Sequence, residues 1–181
     1  MPSNLPVEML QDVPLFQHLT MAEIEELLAA SEDREYRTDE VIFHEGAHDR
    51  ALYVIFDGQV QIVLPTPAFQ ETVVATLGAG SVFGESTFFH PASHVATARC
   101  LADVLAVRLT REKYDRLLSH GSSAAHKLAA NAADLLAERL QATDRWIEQI
   151  LQQEQDAAVA ASWRDFRRSI GFTFEPQRWG P

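Results

Sequence analysis

The sequence has one cysteine, little positive charge and no long apolar run, and each shortage excludes a class of protein. A lone Cys100 among 181 residues rules out a disulfide framework and a cysteine-based metal site. Fifteen lysines and arginines stand against 26 acidic residues, so the net charge of −11 would repel nucleic-acid backbones and anionic lipid surfaces on average. No apolar run approaches the ~18 residues of a membrane span, and the N-terminus lacks a signal-peptide pattern. We therefore expect a soluble, cytoplasmic protein that binds neither DNA nor membranes.

Short β segments separated by turn residues fill the middle of the chain. Over residues 35–109 the runs "EVIFHEG", "ALYVIFDGQVQIVLP", "ETVVATLGAG", "VATARC" and "DVLAVRL" follow one another. In the second run, apolar residues alternate on both sides of Asp57-Gly58, which is a strong signal for a hairpin with a tight turn. A helix precedes the strands, because Thr20 and Glu23 have capping-box spacing before an apolar stripe. This pattern predicts a mainly β protein, an antiparallel jelly roll or barrel with a short N-terminal helix and a long C-terminal helix.

Helical patterns return after the β region. Thr110 is a predicted N-cap of a helix that stops at Gly121, and Ser122 or Ser123 caps a longer helix from about residue 124 to 156. Within the long helix, a coiled-coil seam at 4-3-4-3 spacing consists of Leu136, Leu140, Thr143, Ile147 and Ile150. A single domain offers no obvious cover for this seam. We therefore expect the long helix to pair with its copy in a homodimer.

The last residues differ from the rest in charge and in aromatic content. Residues 163–181 carry a local charge of +2, which leaves −13 for the remainder. Disordered tails are poor in aromatic residues, whereas this segment holds Trp163, Phe166, Phe172, Phe174 and Trp179. We expect it to dock on the protein itself or on a partner protein. The predicted organisation is a β-barrel domain with its N-terminal helix over residues 1–120, a long lid or dimerisation helix over 121–158, and a basic aromatic tail over 159–181.

Two motifs resemble a known family. "LYVIFDGQVQIV" is similar to the central hairpin of the cyclic nucleotide-binding domain, and "GAGSVFGES" resembles the entry to its phosphate-binding cassette. The resemblance covers roughly residues 14–150 and extends to the sensor domains of catabolite activator proteins and kinase regulatory subunits. It implies a jelly-roll fold and a cyclic nucleotide ligand, cyclic AMP or cyclic GMP, with no other cofactor.

The resemblance implies a ligand site in the cassette and in the long helix. Backbone N–H groups after Gly84 would hold the phosphate at the positive end of a short helix, and Glu85 would accept the ribose 2′-hydroxyl. The family's phosphate-binding arginine falls on His94 by the spacing of kinase regulatory subunits, or on Val95 by that of catabolite activator proteins. "ERLQATDRWI" resembles the long-helix segment that reaches the purine. The implied ligand-binding residues are Gly84, Glu85, Ser86, Thr87, His94, Val95, Thr143 and Asp144.

Neither position offered for the arginine holds one. Arg99 is a poor substitute, because an odd number of strand positions separates it from His94 and it should face the other way. Losing a charge-assisted contact to a phosphate costs about 1.5–3 kcal/mol, or roughly ten- to hundred-fold in affinity. A histidine compensates only when protonated, so binding should be weak at neutral pH and tighten toward pH 6. The alternative is that these residues bind no ligand. His94 would then be a polar residue on an exposed loop, and Glu85 would stabilise its own turn. Thr143 and Asp144 would belong to a helix seam and a solvated face.

Taken together, the residues and the resemblance predict a non-enzymatic regulatory module that signals through its C-terminal helix to a partner. The alternative is a degenerate, ligand-free scaffold that uses the same fold for dimerisation and partner docking. A cupin-type metal enzyme is disfavoured, because His44 and His48 are four apart and no glutamate follows before Gly58. A DNA-binding regulator would need a helix-turn-helix domain, and only about 25 residues follow Asp156.

Overall fold

Two antiparallel four-stranded sheets form the centre of the computed structural model, which describes residues 7–65, 71–153 and Trp163. The strands are β1 (Glu32–Tyr36), β2 (Val41–Phe43), β3 (Ala51–Asp57), β4 (Val60–Pro65), β5 (Glu71–Leu77), β6 (Val82–Phe83), β7 (Thr97–Cys100) and β8 (Val104–Thr110). The first sheet has the order β1-β8-β3-β6 and the second has the order β2-β7-β4-β5. This arrangement confirms the predicted antiparallel jelly-roll fold.

Helices precede the strands, follow them and, in one case, lie between two of them. Two short 3₁₀ segments (Val7–Asp12 and Pro14–Phe16) precede α1 (Met21–Ala30), and α2 (Glu85–Phe89) lies between β6 and β7. After the strands come α3 (Arg111–Ser119) and the long α4 (Ser123–Gln153). No helix within residues 7–65 and 71–153 is long and apolar enough to cross a membrane.

The predicted helix caps are confirmed. Thr20 and Glu23 form a reciprocal capping box at the start of α1. The Thr110 hydroxyl accepts the backbone N–H of Lys113 at 3.4 Å at the start of α3. Of the two serines proposed for α4, Ser122 accepts the backbone N–H of Ala125 at 3.1 Å, so it is the one that caps this helix.

A tight turn follows Asp57 as predicted, but the predicted hairpin is wrong. β3 pairs with β8 and β6 in the first sheet and β4 pairs with β7 and β5 in the second, so the turn at Gly58 leads the chain from one sheet to the other. Gly58 has φ +90, and a side chain there would begin 2.2 Å from the carbonyl oxygen of Asp103. Only glycine fits this combination of left-handed backbone and close backbone contact.

Apolar residues form two separate core clusters. One lies between the helices and the first sheet and includes Ile24, Leu52, Phe88 and Leu128. The other lies between the two sheets and is largely aromatic on one side, with Phe43, Tyr53 and Phe83 in mutual contact. The second cluster forms the interior of the barrel next to the segment that begins at Gly84.

Hydrogen bonds to the side chain of Glu23 connect α1 to the start of α4. Its carboxylate accepts hydrogen bonds from the backbone of Thr20 at 2.7 Å, from the Ser123 hydroxyl at 2.9 Å and from Lys127 at 2.8 Å. These contacts, above all the one from Lys127, lower the pKa of Glu23 to about 2. Asn131 adds two hydrogen bonds to the carbonyls of Leu15 and Gln17.

The chain divides into two compact units, residues 1–135 and 136–181. The boundary falls inside α4, so residues 123–135 of this helix belong to the barrel unit. The predicted seam lies in the second unit, where Leu140 is 54% exposed. The structure does not describe the side chain of Ile150 or the tail residues other than Trp163. The predicted docking role of the tail therefore stays a prediction.

Candidate ligand-binding site

The cassette begins with a turn that only glycine can make. Gly84 has φ +83 and precedes the first residue of α2. A side chain at this position would start 2.4 Å from the carbonyl oxygen of Ala51 and 3.2 Å from the ring of Tyr53. The backbone of the turn therefore packs directly on β3, and the start of α2 is fixed against the barrel wall.

The polar residues that follow Gly84 separate into buried and exposed positions. Glu85 is only 5% exposed although it carries a carboxylate, and Thr87 is buried as well. The Thr87 hydroxyl donates to the carbonyl of Gly84 at 3.2 Å, which stabilises the turn. Ser86 is exposed. The structure therefore brings together Gly84, Glu85 and Thr87 as the cassette wall and turns Ser86 outward.

His94 is a buried residue of the barrel interior rather than a residue of an exposed loop. Its side chain is 5% exposed, and its ring stacks on Phe43 with the centroids 3.7 Å apart. Its backbone is held by two hydrogen bonds of 2.8 Å to the backbone of Gly46 and Ala47. The Nε2 atom is fully buried and has no hydrogen-bond partner among the described residues. The alternative of a solvated polar His94 is therefore wrong.

The surroundings of His94 favour its neutral form. Burial lowers the pKa of His94, and the Asp49 carboxylate together with a hydrogen bond to the Asp49 backbone acts in the opposite direction. The Asp49 carboxylate is already bound by Tyr53 and Arg108, each at 2.8 Å. Burial and the bond to Asp49 raise the pKa of Tyr53. The network therefore favours a neutral imidazole at the position where the nine-residue spacing from Glu85 predicts the phosphate contact.

The two other residues considered for phosphate binding point elsewhere. Val95 is 76% exposed, so the ten-residue spacing from Glu85 ends on a surface side chain. Arg99 binds Glu71 with two contacts of 2.6 and 2.9 Å. This pairing agrees with the prediction that Arg99 faces away from His94.

Thr143 and Asp144 lie on α4 in the unit formed by residues 136–181. The Thr143 hydroxyl donates to the carbonyl of Arg139 at 2.9 Å, one turn earlier on the same helix, and the side chain is exposed. Their predicted contact with a purine stays a prediction.

Sequence reasoning missed the residues that support the cassette from behind. Arg50 donates to the carbonyls of Thr87 and Phe88 at 3.2 and 3.0 Å, and Arg111 donates to that of Phe88 at 3.2 Å. Both cations stabilise the C-terminal end of α2. Their positions directly before β3 and after β8 are visible in the sequence, but their pairing with α2 depends on contacts between residues 23 to 38 positions apart.

The aromatic residues of α2 connect the cassette to the helices that follow. The ring of Phe88 packs edge-on against Tyr114 of α3 at 5.1 Å, and that of Phe89 packs against it at 5.9 Å. The buried hydroxyl of Tyr114 donates to the carbonyl of Ala125 in α4 at 3.0 Å. A displacement of α2 would therefore act on α3 and on the first turn of α4. No cluster of three or more candidate metal ligands occurs within residues 7–65 and 71–153.

Fold and cassette together define a cyclic nucleotide-binding domain. The family model described as "Cyclic nucleotide-binding domain" matches residues 33–120. The chain is also 31% identical to the cyclic AMP receptor protein of Thermus thermophilus over 163 residues, which are 90% of this chain and 74% of that relative. The chain therefore belongs to the cyclic nucleotide-binding domain family, and the resemblance seen in the sequence is confirmed.

A further relative and a solved structure show how far the similarity extends. The cAMP-dependent protein kinase regulatory subunit of Mycosarcoma maydis is 31% identical over 114 residues, which are 60% of this chain and 22% of that relative. The crystal structure of the Thermus thermophilus catabolite activator protein has a TM-score of 0.69 and 31% identity, and the match covers 76% of this chain and 62% of that chain. The chain thus spans less than a quarter of the kinase subunit.

Proposed function

We propose that this chain is a non-enzymatic regulatory module that binds cyclic AMP or cyclic GMP weakly and passes its state through α4 to a partner. The observation that carries the proposal is the turn at Gly84, where a left-handed glycine packed on Ala51 leads directly into the buried carboxylate of Glu85. In this role the backbone N–H groups of the turn hold the phosphate, and Glu85 accepts the ribose hydroxyl. Relatives named as a cyclic AMP receptor and a cAMP-dependent kinase subunit support the ligand class.

The proposed affinity is low because the cassette lacks a fixed cation. Arg50, Arg108 and Arg111 donate to protein groups, and Arg99 is bound to Glu71. The missing charge-assisted contact costs about 1.5–3 kcal/mol, which corresponds to roughly ten- to hundred-fold weaker binding.

The proposed signal runs from α2 through α3 into α4. The contacts of Phe88 and Phe89 with Tyr114, and the hydrogen bond from Tyr114 to Ala125, support this direction. We propose that the signal continues along α4, which extends to Gln153 and contains the seam residues. We further propose that the seam pairs with that of a second copy, so that the module acts as a homodimer, and that the C-terminal tail offers a docking segment for a partner protein.

A ligand-free scaffold is the second candidate. It is favoured by one observation, which is that His94 packs on Phe43 inside the barrel and is held neutral there. In this reading the barrel retains its fold as a platform for dimerisation and partner docking.

A thermal-shift titration of the full chain with cyclic AMP and cyclic GMP separates the two candidates. A ligand at 100 times its dissociation constant stabilises the native state by about 2.7 kcal/mol. For a chain of this size that raises the melting temperature by about 5–10 °C. Glu85→Gln should remove the shift, whereas Glu26→Gln, an exposed carboxylate on α1, should leave it unchanged.

The scaffold candidate makes the opposite prediction. If neither nucleotide at millimolar concentration shifts the melting temperature of the wild type or of His94→Arg, the cassette does not bind cyclic nucleotides. The module would then act through its surfaces alone.

A further inference from the structure

The Nε2 atom of His94 is a buried polar atom that the described part of the chain leaves without a partner. Its side chain is 5% exposed, so solvent does not replace the missing contact. Leaving such an atom unpaired is unfavourable, and buried polar atoms in native proteins usually have a partner. An unpaired nitrogen in the loop between α2 and β7 points to a ligand group that meets it there.

The ring of His94 is held in one orientation. We infer that the neutral ring carries its proton on Nδ1, since the backbone of Asp49 acts to raise the pKa of His94 and Nε2 has no partner among the described residues. The stacking on Phe43 at 3.7 Å and the backbone bonds to Gly46 and Ala47 fix the ring further.

This orientation decides what Nε2 can bind. In the neutral ring Nδ1 carries the proton, so Nε2 presents a lone pair that repels an anionic oxygen. In the protonated ring both nitrogens donate, and Nε2–H can bind an anionic oxygen with a charge-assisted hydrogen bond. The two protonation states therefore have opposite preferences for a phosphate group.

The charged groups around the ring do not supply a substitute cation. The Asp49 carboxylate is the charge that acts on His94, and it is bound by Tyr53 of β3 and Arg108 of β8. Phe43 of β2, on which the ring stacks, is uncharged. The segment that pairs with His94 also carries His44, Glu45, His48 and Arg50, and the cassette itself adds Glu85 and His90. Arg50 is bound to the carbonyls of Thr87 and Phe88.

We propose that His94 makes the binding of a phosphate-bearing ligand in this cassette conditional on the uptake of one proton. This inference rests on the function proposed above and adds its regulation. Since the free ring is held neutral and the bound ring is charged, the ligand must raise the pKa of His94. Linkage then sets the sign, because a ligand that raises a site's pKa binds better as pH falls. Affinity should rise by up to about tenfold for each unit of decreasing pH and level off below the pKa of the free ring, which burial lowers.

Isothermal titration calorimetry of the full chain with cyclic AMP tests this directly. Titrations between pH 8 and pH 6, each repeated in two buffers of different ionisation enthalpy, give the affinity and the number of protons taken up. For the wild type we expect about one proton per ligand and an affinity that rises toward pH 6. Adenosine, which lacks the phosphate, should bind without proton uptake.

Three variants isolate the role of the imidazole. His94→Arg carries a permanent charge, so it should bind about ten- to hundred-fold more tightly at pH 8, with no proton uptake and a flat pH profile. His94→Gln should bind weakly at every pH. His90→Gln removes an exposed histidine of the same cassette and should behave as the wild type.

The outcomes distinguish this inference from the function on which it rests. Wild-type binding with a flat pH profile and no proton uptake overturns the role of His94 and leaves the proposed function standing. Proton uptake that persists in His94→Gln, or that accompanies adenosine, overturns it as well. If His94→Arg binds and the wild type binds at no pH, the imidazole does not serve as the phosphate contact. If no variant binds cyclic AMP or cyclic GMP at millimolar concentration, the proposed function fails first.

Discussion

Replacing Gly84 with alanine tests the turn that starts the cassette. Two costs are expected at this position. The left-handed backbone, with φ +83, is unfavourable for any residue with a β-carbon by about 1–2 kcal/mol. In addition the new methyl group would lie 2.4 Å from the Ala51 carbonyl oxygen, and forcing extra atoms into a packed site typically costs about 1–3 kcal/mol.

Gly121 provides a matched control for this substitution. It has a similar backbone conformation, with φ +75, but a β-carbon there would have no neighbour within 4 Å. Gly121→Ala should therefore lower the free energy of unfolding by about 1–2 kcal/mol. Gly84→Ala should lower it by about 2–5 kcal/mol, since the contact with Ala51 adds to the backbone term.

Equilibrium unfolding in urea, followed by circular dichroism, measures both losses. For a chain of this size each kcal/mol also corresponds to about 2–4 °C in the melting temperature. If Gly84→Ala loses no more stability than Gly121→Ala, then the turn does not pack on β3 as described. The cassette geometry on which the proposed ligand binding rests would then be refuted.

Three further substitutions test other parts of the molecule. Leu140→Glu places a charge on the exposed seam of α4, so it should turn the proposed dimer into a monomer in equilibrium sedimentation. Gln141→Glu adds the same charge off the seam and should leave the dimer intact. A monomeric wild type at micromolar concentration would contradict the dimer. Tyr114→Phe deletes the hydroxyl that donates to Ala125, and it should lower the free energy of unfolding by about 1 kcal/mol in urea titrations; an unchanged midpoint would argue against this bond. Glu23 has a pKa of about 2 in the folded protein against 4.5 in the unfolded chain, so its stabilisation is present above pH 4.5 and lost as pH falls toward 2. The wild type should therefore lose more stability than Glu23→Gln across that range, and parallel acid profiles would show that the Lys127 contact contributes nothing.

The helix caps and tight turns of this fold could be predicted from the sequence, because they depend on local interactions. Capping at Thr20 and Thr110 depends on residues three positions apart, and the turn at Gly58 depends on adjacent residues between alternating runs. Such signals are contained in one short window, so a single sequence is enough to find them. The family resemblance added the cassette for the same reason, because Gly84 and Glu85 stand next to each other in the chain.

The state of His94 could be decided only by the tertiary structure. The sequence established that the residue is a histidine where a cation is expected, but its own neighbours are mostly small or polar and favour a solvated loop. Pairing of β2 with β7 brings Phe43 beneath the ring, and Asp49 reaches it from the loop before β3. Burial and pKa depend on which distant segments cover a side chain, and this information is absent from its local window.

The tertiary structure also decides which of two neighbouring side chains faces the interior of the barrel. Counting from Glu85 made His94 and Val95 equal candidates for the phosphate contact, and only the packed barrel separates a buried ring from a side chain that is 76% exposed. The boundary inside α4 at residues 135 and 136 is likewise a property of contacts, since the helical pattern continues across it without a break. Sequence periodicity determines which segments become helices and strands, whereas the packing of distant segments decides which of their side chains reach a ligand.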